Sequence, residues 1–122
     1  MEKLFDSEKV VMDVLWKEGD LPAGQIAEIL SARIGWNRNT TYTVIKKCIA
    51  KGVISRREPK FICHAEISRE EVQKCETQIL IDKMFDGSRS QFLSAFLSAG
   101  ELTEDEFNDL LAFVRRKERG RE

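Results

Sequence analysis

Three glycines divide the first half of the chain into short segments with helical periodicity, and this spacing constrains the fold more than any other feature. Gly19, Gly35 and Gly52 each follow a segment in which apolar residues recur with the spacing of one helix face. That period indicates an amphipathic α-helix, and glycine commonly follows a helix end. The first half of the chain therefore predicts three short helices joined by tight turns, which is a helix-turn-helix core.

The residues at the predicted helix starts agree with this division. Ser7 is predicted to cap the first helix and Pro22 to open the second, while Asn37 is predicted to cap a third helix that runs to Lys51. The predicted buried face of the third helix is Thr41, Val44, Ile45 and Cys48.

After Gly52 the pattern changes from helical to extended. Residues 53–57 and 61–67 form two short extended runs, and the turn residues Glu58-Pro59-Lys60 separate them. Runs of this length predict a β-hairpin that packs on the helical core, with Pro59 in the turn or at an edge. Residues 1–67 are therefore predicted to be a winged helix-turn-helix domain.

Residues 68–122 are predicted to be helical, which makes the chain mainly α. Ser68 with Glu71, and Thr103 with Glu106, have the spacing of capping boxes. The helices that follow are too apolar to bury all their faces within one chain, so we predict a homodimer. The alternative is a monomer in which these helices fold back on the winged helix. The predicted dimer residues are apolar: Ile79, Phe85, Phe92, Phe96, Leu97, Phe107, Leu110, Leu111 and Val114.

Charge is distributed unevenly along the chain. The formal net charge is −1, yet residues 33–60 contain eight basic residues and one acidic residue, Glu58. A basic window of this kind predicts a surface for a polyanion, and the alternative is an ordinary solvated charge run.

The third helix and the wing carry the predicted DNA contacts. Short polar residues and an aromatic residue near the helix start are predicted to reach base edges, and the later cations to reach phosphates. Two alternatives remain, namely that Thr40 caps the first turn and that Tyr42 packs against the wing. The predicted DNA-binding residues are Asn39, Thr40, Tyr42, Thr43, Lys46, Lys47, Arg56, Arg57 and Lys60.

Several of these segments resemble one known family. Asp13-Val-Leu-Trp16, Ile26-Ala-Glu-Ile-Leu30 and the stretch from Trp36 to Gly52 are similar to the penicillinase repressor (BlaI/MecI/CopY) family. The resemblance covers nearly the whole chain. It implies a transcriptional repressor that binds a palindromic double-stranded DNA operator as a homodimer, with one recognition helix in each half-site.

The resemblance also implies how repression ends, and here the chain departs from the family. The β-lactam branch is inactivated by a regulatory protease at an Asn-Phe bond, and the aligned bond is Ala95-Phe96. Repression is expected to be relieved by loss of the dimer, through cleavage near this bond. The copper-responsive branch has C-terminal Cys-x-Cys motifs, whereas no cysteine follows Cys75, so copper sensing by that route is excluded. Tyr42 stands where the family usually has a basic residue, which predicts a different operator.

Other function classes have little support in the sequence. Cys63, His64 and Cys75 lack zinc spacing, so neither a metal site nor a cofactor is predicted, and the cysteines are expected to be reduced thiols. One histidine and no phosphate-binding glycine loop argue against an enzyme. No apolar run is long enough to span a membrane, so we expect a cytoplasmic protein. The alternative functions are a winged helix that binds an acidic protein partner and an RNA-binding protein.

Overall fold

Six helices and three short strands make up residues 3–120, the part of the chain that the computed structural model describes. In chain order the elements are α1 (Asp6–Glu18), β1 (Leu21–Pro22), α2 (Ala23–Ile34), α3 (Arg38–Ala50), β2 (Ile54–Arg57), β3 (Ile62–Ala65), α4 (Arg69–Phe85), α5 (Arg89–Ala99) and α6 (Glu104–Arg119). The predicted fold class, a mainly helical winged helix-turn-helix with a helical C-terminal region, is confirmed.

The helix ends follow local chemistry at most of the predicted positions. Gly19 follows α1 with φ at 84°, a left-handed value that glycine adopts without steric cost. The Asn37 side chain accepts a hydrogen bond from the Thr40 N–H at 2.8 Å, so Asn37 and not Thr40 caps α3. The prediction that Ser7 caps α1 is wrong. The cap position is Phe5, two residues earlier, where the Glu8 carboxylate reaches back and accepts the Phe5 N–H at 2.7 Å.

The sheet has the order β1-β3-β2, and both pairings are antiparallel. Strands β2 and β3 form the predicted hairpin, with Arg56 opposite Cys63. Strand β1 was not predicted, since its two residues are too few to show an alternating pattern. The Ala23 N–H donates to the Phe61 carbonyl at 3.0 Å, which ties the start of α2 to the start of β3.

One apolar core lies among α1, α2, α3 and the hairpin. Its fully buried members include Val11, Met12, Ile26 and Ile45, and Val72 of α4 also belongs to it. The Trp16 indole N–H donates to the Ile67 carbonyl at 2.9 Å and so attaches α1 to the segment between β3 and α4.

Residue contacts divide the chain within α4, so that one compact unit ends at Thr77 and a second begins at Gln78. We call these the N-terminal unit and the C-terminal unit. Serine or threonine side chains cap α4, α5 and α6 by accepting a backbone N–H three residues ahead, at 3.0, 3.2 and 3.1 Å respectively. No helix within residues 3–120 has the length and apolar character needed to cross a membrane.

Candidate nucleic-acid interface

Helix α3 separates a buried face from an exposed one. The predicted buried residues Thr41, Val44, Ile45 and Cys48 all lie in the core. The exposed face contains polar and basic side chains, namely Asn39, Thr43, Lys46 and Lys47, and Thr40 is also exposed. Since these residues recur with helical spacing, they form one continuous polar surface along the helix.

The wing adds three exposed cations beside this helix in the same unit. Arg56 forms an ion pair with Glu58, and Arg57 Nη1 lies 3.7 Å from Asp20 Oδ2. Lys60 is exposed in the turn between the strands. Exposed ion pairs of this kind contribute little to stability, so the two arginines can exchange a carboxylate for another anion at small cost.

Tyr42 packs against the wing, which is the alternative to base contact that the sequence left open. It is partly buried, and its ring meets that of Phe61 edge-to-face with 5.9 Å between centroids. Its hydroxyl accepts a hydrogen bond from Arg38 Nη2 at 3.1 Å. Arg38 was not among the predicted DNA contacts. Its separation of four residues from Tyr42 on a helix is a signal that predicts contact between the two side chains.

Lys51 belongs to the basic window but does not contribute to the exposed surface. Its Nζ donates to Glu8 Oε1 at 2.6 Å and to the Lys3 carbonyl at 2.9 Å. The Glu8 side chain is 1% exposed and that of Lys51 is 14% exposed. This cation therefore neutralises a buried carboxylate and is not free to meet a polyanion.

Two thiols of the N-terminal unit, those of Cys48 and Cys63, lie in the core, and Cys75 is partly buried. Burial raises the pKa of Cys48 to about 12 and that of Cys63 to about 11, because a thiolate would lose its hydration there. His64 Nδ1, on β3 opposite Ser55, lies 2.8 Å from Asp20 Oδ1. Among residues 3–120 there is no group of three or more histidine, cysteine or acidic side chains that could hold a metal ion.

Comparison with known proteins identifies the family. The sequence profile described as penicillinase repressor matches residues 4–116. The chain belongs to the penicillinase repressor family. Over 117 residues this repressor is 21% identical to the methicillin resistance regulatory protein MecI of Staphylococcus epidermidis, and the match covers 94% of the chain and 95% of MecI. The resemblance noted in the sequence is thereby confirmed.

A solved structure supports the fold of the first half of the repressor. The solution structure of the DNA-binding domain of the repressor BlaI matches with a TM-score of 0.52 and 25% sequence identity. The match covers 58% of this chain and 93% of that domain. The three helices and the wing of the repressor therefore have a counterpart of known structure.

The C-terminal unit of the repressor presents apolar side chains to solvent. Neither α5 nor α6 has a buried residue. Of the predicted dimer residues, those that are exposed are Phe96, Leu97, Phe107, Leu111 and Val114, and those that are partly buried are Ile79, Phe85, Phe92 and Leu110. Exposed apolar residues that the predicted dimer set omitted are Leu80, Met84, Leu93 and Phe113.

Two ring contacts explain why part of this apolar set is shielded. Phe92 meets Phe85 edge-to-face at 5.7 Å between centroids, and it stacks on Phe96 at 6.4 Å. Phe96 also borders an open groove of about 320 Å³ that Leu110 and Phe113 line with it. The contacts within this unit therefore cover Phe92 better than Phe96, which stays 52% exposed.

Proposed function

We propose that the chain is a sequence-specific DNA-binding transcriptional repressor. The observation that carries this proposal is the exposed polar face of α3, with Asn39 and Thr43 near its start and Lys46 and Lys47 further along. Membership of a repressor family supports it, as does similarity to a domain described as the DNA-binding domain of BlaI. Members of such a family are regulators, so we propose no catalytic role.

Each part of the interface has a distinct role in this proposal. The start of α3 enters the major groove, where Asn39, Thr40 and Thr43 have the size and hydrogen-bonding groups to read base edges. Lys46 and Lys47 contact phosphates. Arg57 and Lys60 of the wing contact phosphates or the minor groove.

The repressor acts as a homodimer on a palindromic operator in this proposal. Residues 1–67 form the reading domain and residues 68–122 the dimerisation domain. The support is the apolar surface of the C-terminal unit, where Phe96, Phe107 and Val114 are each more than half exposed. A patch of this kind is typical of a protein interface, and a second copy with the same patch buries both.

Repression ends in this proposal when the dimer is lost. The Ala95-Phe96 bond lies within α5, and both residues are exposed. Cleavage there by a regulatory protease would need a local opening of the helix. It would separate Phe92 from Phe96 and detach α6. Two linked reading domains gain affinity through effective concentration, so their separation releases the operator without any change in α3.

DNA titrations with variants of α3 test the proposal. The probes are a duplex that the purified chain selects from a randomised library and a duplex of scrambled sequence. Lys47→Ala should weaken binding to both duplexes alike and lower the salt slope by about one unit, because it removes one phosphate contact. Thr43→Ala should cost roughly 1–3 kcal/mol on the selected duplex and little on the scrambled one.

Lys17→Ala is the matched control, because Lys17 is an exposed lysine of α1 and lies outside the proposed interface. It should leave both titrations unchanged. A chain that binds neither duplex, or binds both without dependence on salt, would contradict the proposal and favour an acidic protein as the partner.

A further inference from the structure

Four side chains of α3 and the wing form a row in which two adjacent rings lie between two cations. Arg38 Cζ lies 5.2 Å from the centroid of the Tyr42 ring, and the Tyr42 and Phe61 centroids are 5.9 Å apart. Arg56 Cζ lies 3.7 Å from the Phe61 centroid. We call this set, Arg38, Tyr42, Phe61 and Arg56, the arginine–aromatic row. It joins the recognition helix to the wing through side chains alone.

The backbone at Phe61 shows that this ring is held in place. Phe61 has φ at 50°, a left-handed value that is uncommon for residues other than glycine, asparagine and aspartate. Its carbonyl accepts the Ala23 N–H at 3.0 Å, so the start of α2 also holds the backbone of Phe61. Uncommon backbone conformations persist where the surroundings determine them, and here they direct the ring between Tyr42 and Arg56.

The Arg38–Tyr42 end of the row lies close to Gly24 at the start of α2. A Cβ at Gly24 would lie 3.3 Å from Arg38 Nη2 and 3.5 Å from the Tyr42 hydroxyl. Since glycine has no Cβ, the Arg38–Tyr42 pair can lie close over this turn. The hydrogen bond from Arg38 to the Tyr42 hydroxyl then fixes the guanidinium relative to the ring.

A guanidinium that lies over a ring face keeps its charge, and its N–H groups point outward in its own plane. Arg38 and Arg56 are both exposed, one at the start of α3 and one on the wing. Arg38 and Arg56 therefore present donors for phosphate oxygens, and the two rings between them limit how far the wing can move from the helix.

We infer that Arg38 and Arg56 are paired DNA-phosphate contacts whose separation is fixed by Tyr42 and Phe61. This inference rests on the proposed function. It assigns Arg38 to the interface and makes Tyr42 and Phe61 positioning residues, so that Tyr42 acts through Arg38 and does not read a base. Glu58 holds Arg56 in the absence of DNA, and a phosphate takes its place.

The test is a double-mutant cycle on a scrambled-sequence duplex, read by fluorescence anisotropy at several salt concentrations. Phe61→Asn removes the ring while asparagine tolerates the left-handed backbone. If Phe61 acts through Arg56, then Phe61→Asn and Arg56→Ala each lower the salt slope, by about one unit for the arginine, and the double variant is no weaker than Arg56→Ala alone. Losses that multiply in the double variant would overturn the inference.

Two further variants separate positioning from damage to the fold. Lys60→Ala removes a wing cation outside the row, and its loss should multiply with that of Phe61→Asn. Glu58→Gln should strengthen binding severalfold, a gain that misfolding cannot produce. Unchanged or weaker binding by Glu58→Gln, or a Lys60 loss that does not multiply, would overturn the inference.

The Tyr42 end of the row is tested in the same way. Tyr42→Phe keeps the ring and removes the acceptor for Arg38, so it should weaken scrambled and selected duplexes equally, and it should have no effect in the Arg38→Ala background. A loss confined to the selected duplex would assign Tyr42 to a base and overturn this part of the inference.

A measurement without DNA distinguishes failure of the inference from failure of the proposed function. In the free chain, the ring current of Phe61 should shift the Arg56 side-chain protons upfield in the NMR spectrum, and Phe61→Asn should abolish the shift. Absence of the shift overturns the row alone. A wild-type chain that shows the shift but does not bind duplex DNA overturns the proposed function, and the phosphate assignment with it.

Discussion

The two units of the chain differ in how far they bury their apolar side chains. In the N-terminal unit Val11, Met12 and Ile45 are completely buried, whereas α5 and α6 of the C-terminal unit bury no residue. Apolar side chains stabilise a fold only when they leave water. The first unit therefore has a closed core of its own, whereas α5 and α6 leave their apolar faces in water.

The largest effect is expected where the N-terminal unit buries charge. Lys51→Met leaves the Glu8 carboxylate in the core without its cation, which should lower the free energy of unfolding by about 3–5 kcal/mol. Urea titration followed by circular dichroism, at one protein concentration, measures the loss. Lys47→Met is the matched control on the exposed face of α3 and should stay within about 0.5 kcal/mol of the parent chain. Equal stability of the two variants would show that Glu8 does not need Lys51.

The next largest effect is expected on dimer affinity, at the apolar surface of α5 and α6 that a second copy covers in our proposal. Phe96→Asp places a charge in that surface and should raise the dimer dissociation constant on the order of 100-fold or more. Sedimentation equilibrium measures it. Ser98→Asp adds the same charge on the opposite side of α5 and should leave the dimer intact. A Phe96→Asp chain that remains dimeric would locate the interface elsewhere.

Shortened chains sharpen the boundary between the units. A chain that ends at Thr77 should be a folded monomer, because it retains the whole core of the N-terminal unit. A chain that ends at Ile67 loses the buried Val72 and should be less stable by about 1.5–3 kcal/mol. Thermal and urea unfolding of both chains measure the difference. A stable dimer of the Thr77 chain would contradict the contrast between the two units.

The smallest effect is a loss of stability at alkaline pH, and it arises from a thiol in the core of the N-terminal unit. Cys48 has its pKa raised from 9.0 to about 12 by burial, so above pH 9.0 the unfolded chain loses a proton that the folded chain keeps. Stability is therefore present in full below that pH and is lost as pH rises, by at most about 1.4 kcal/mol per pH unit for one thiol. The slope of unfolding free energy against pH should be shallower in Cys48→Ala. An identical slope in both chains would show that the thiol does not titrate on unfolding.

Local signals predicted the ends of α1, α2 and α3, the start of α3 and its exposed face, because a glycine or a capping asparagine acts within a few residues. The start of α1 was placed at Ser7 instead of Phe5. Strand β1 was not predicted, because two residues are too few to show an alternating pattern.

Lys51 was counted in the basic window of residues 33–60, since its partner Glu8 lies 43 positions away in sequence. The packing of Tyr42 depends on where the wing brings Phe61, which no local pattern determines. The surface that covers the exposed apolar residues of α5 and α6 is, in our proposal, a second copy of the chain, whose placement no local pattern determines.

The sheet order has a consequence for solubility. Strand β2 lies at an end of the sheet, so one of its edges has no strand beside it within residues 3–120. Open strand edges invite pairing with other chains, and consecutive cations on such a strand oppose it by repulsion. Arg56 and Arg57 both lie on β2 and are exposed. The wing arginines should thus give the protein a second property besides affinity for phosphate, which is resistance to aggregation through pairing of this strand edge with other chains.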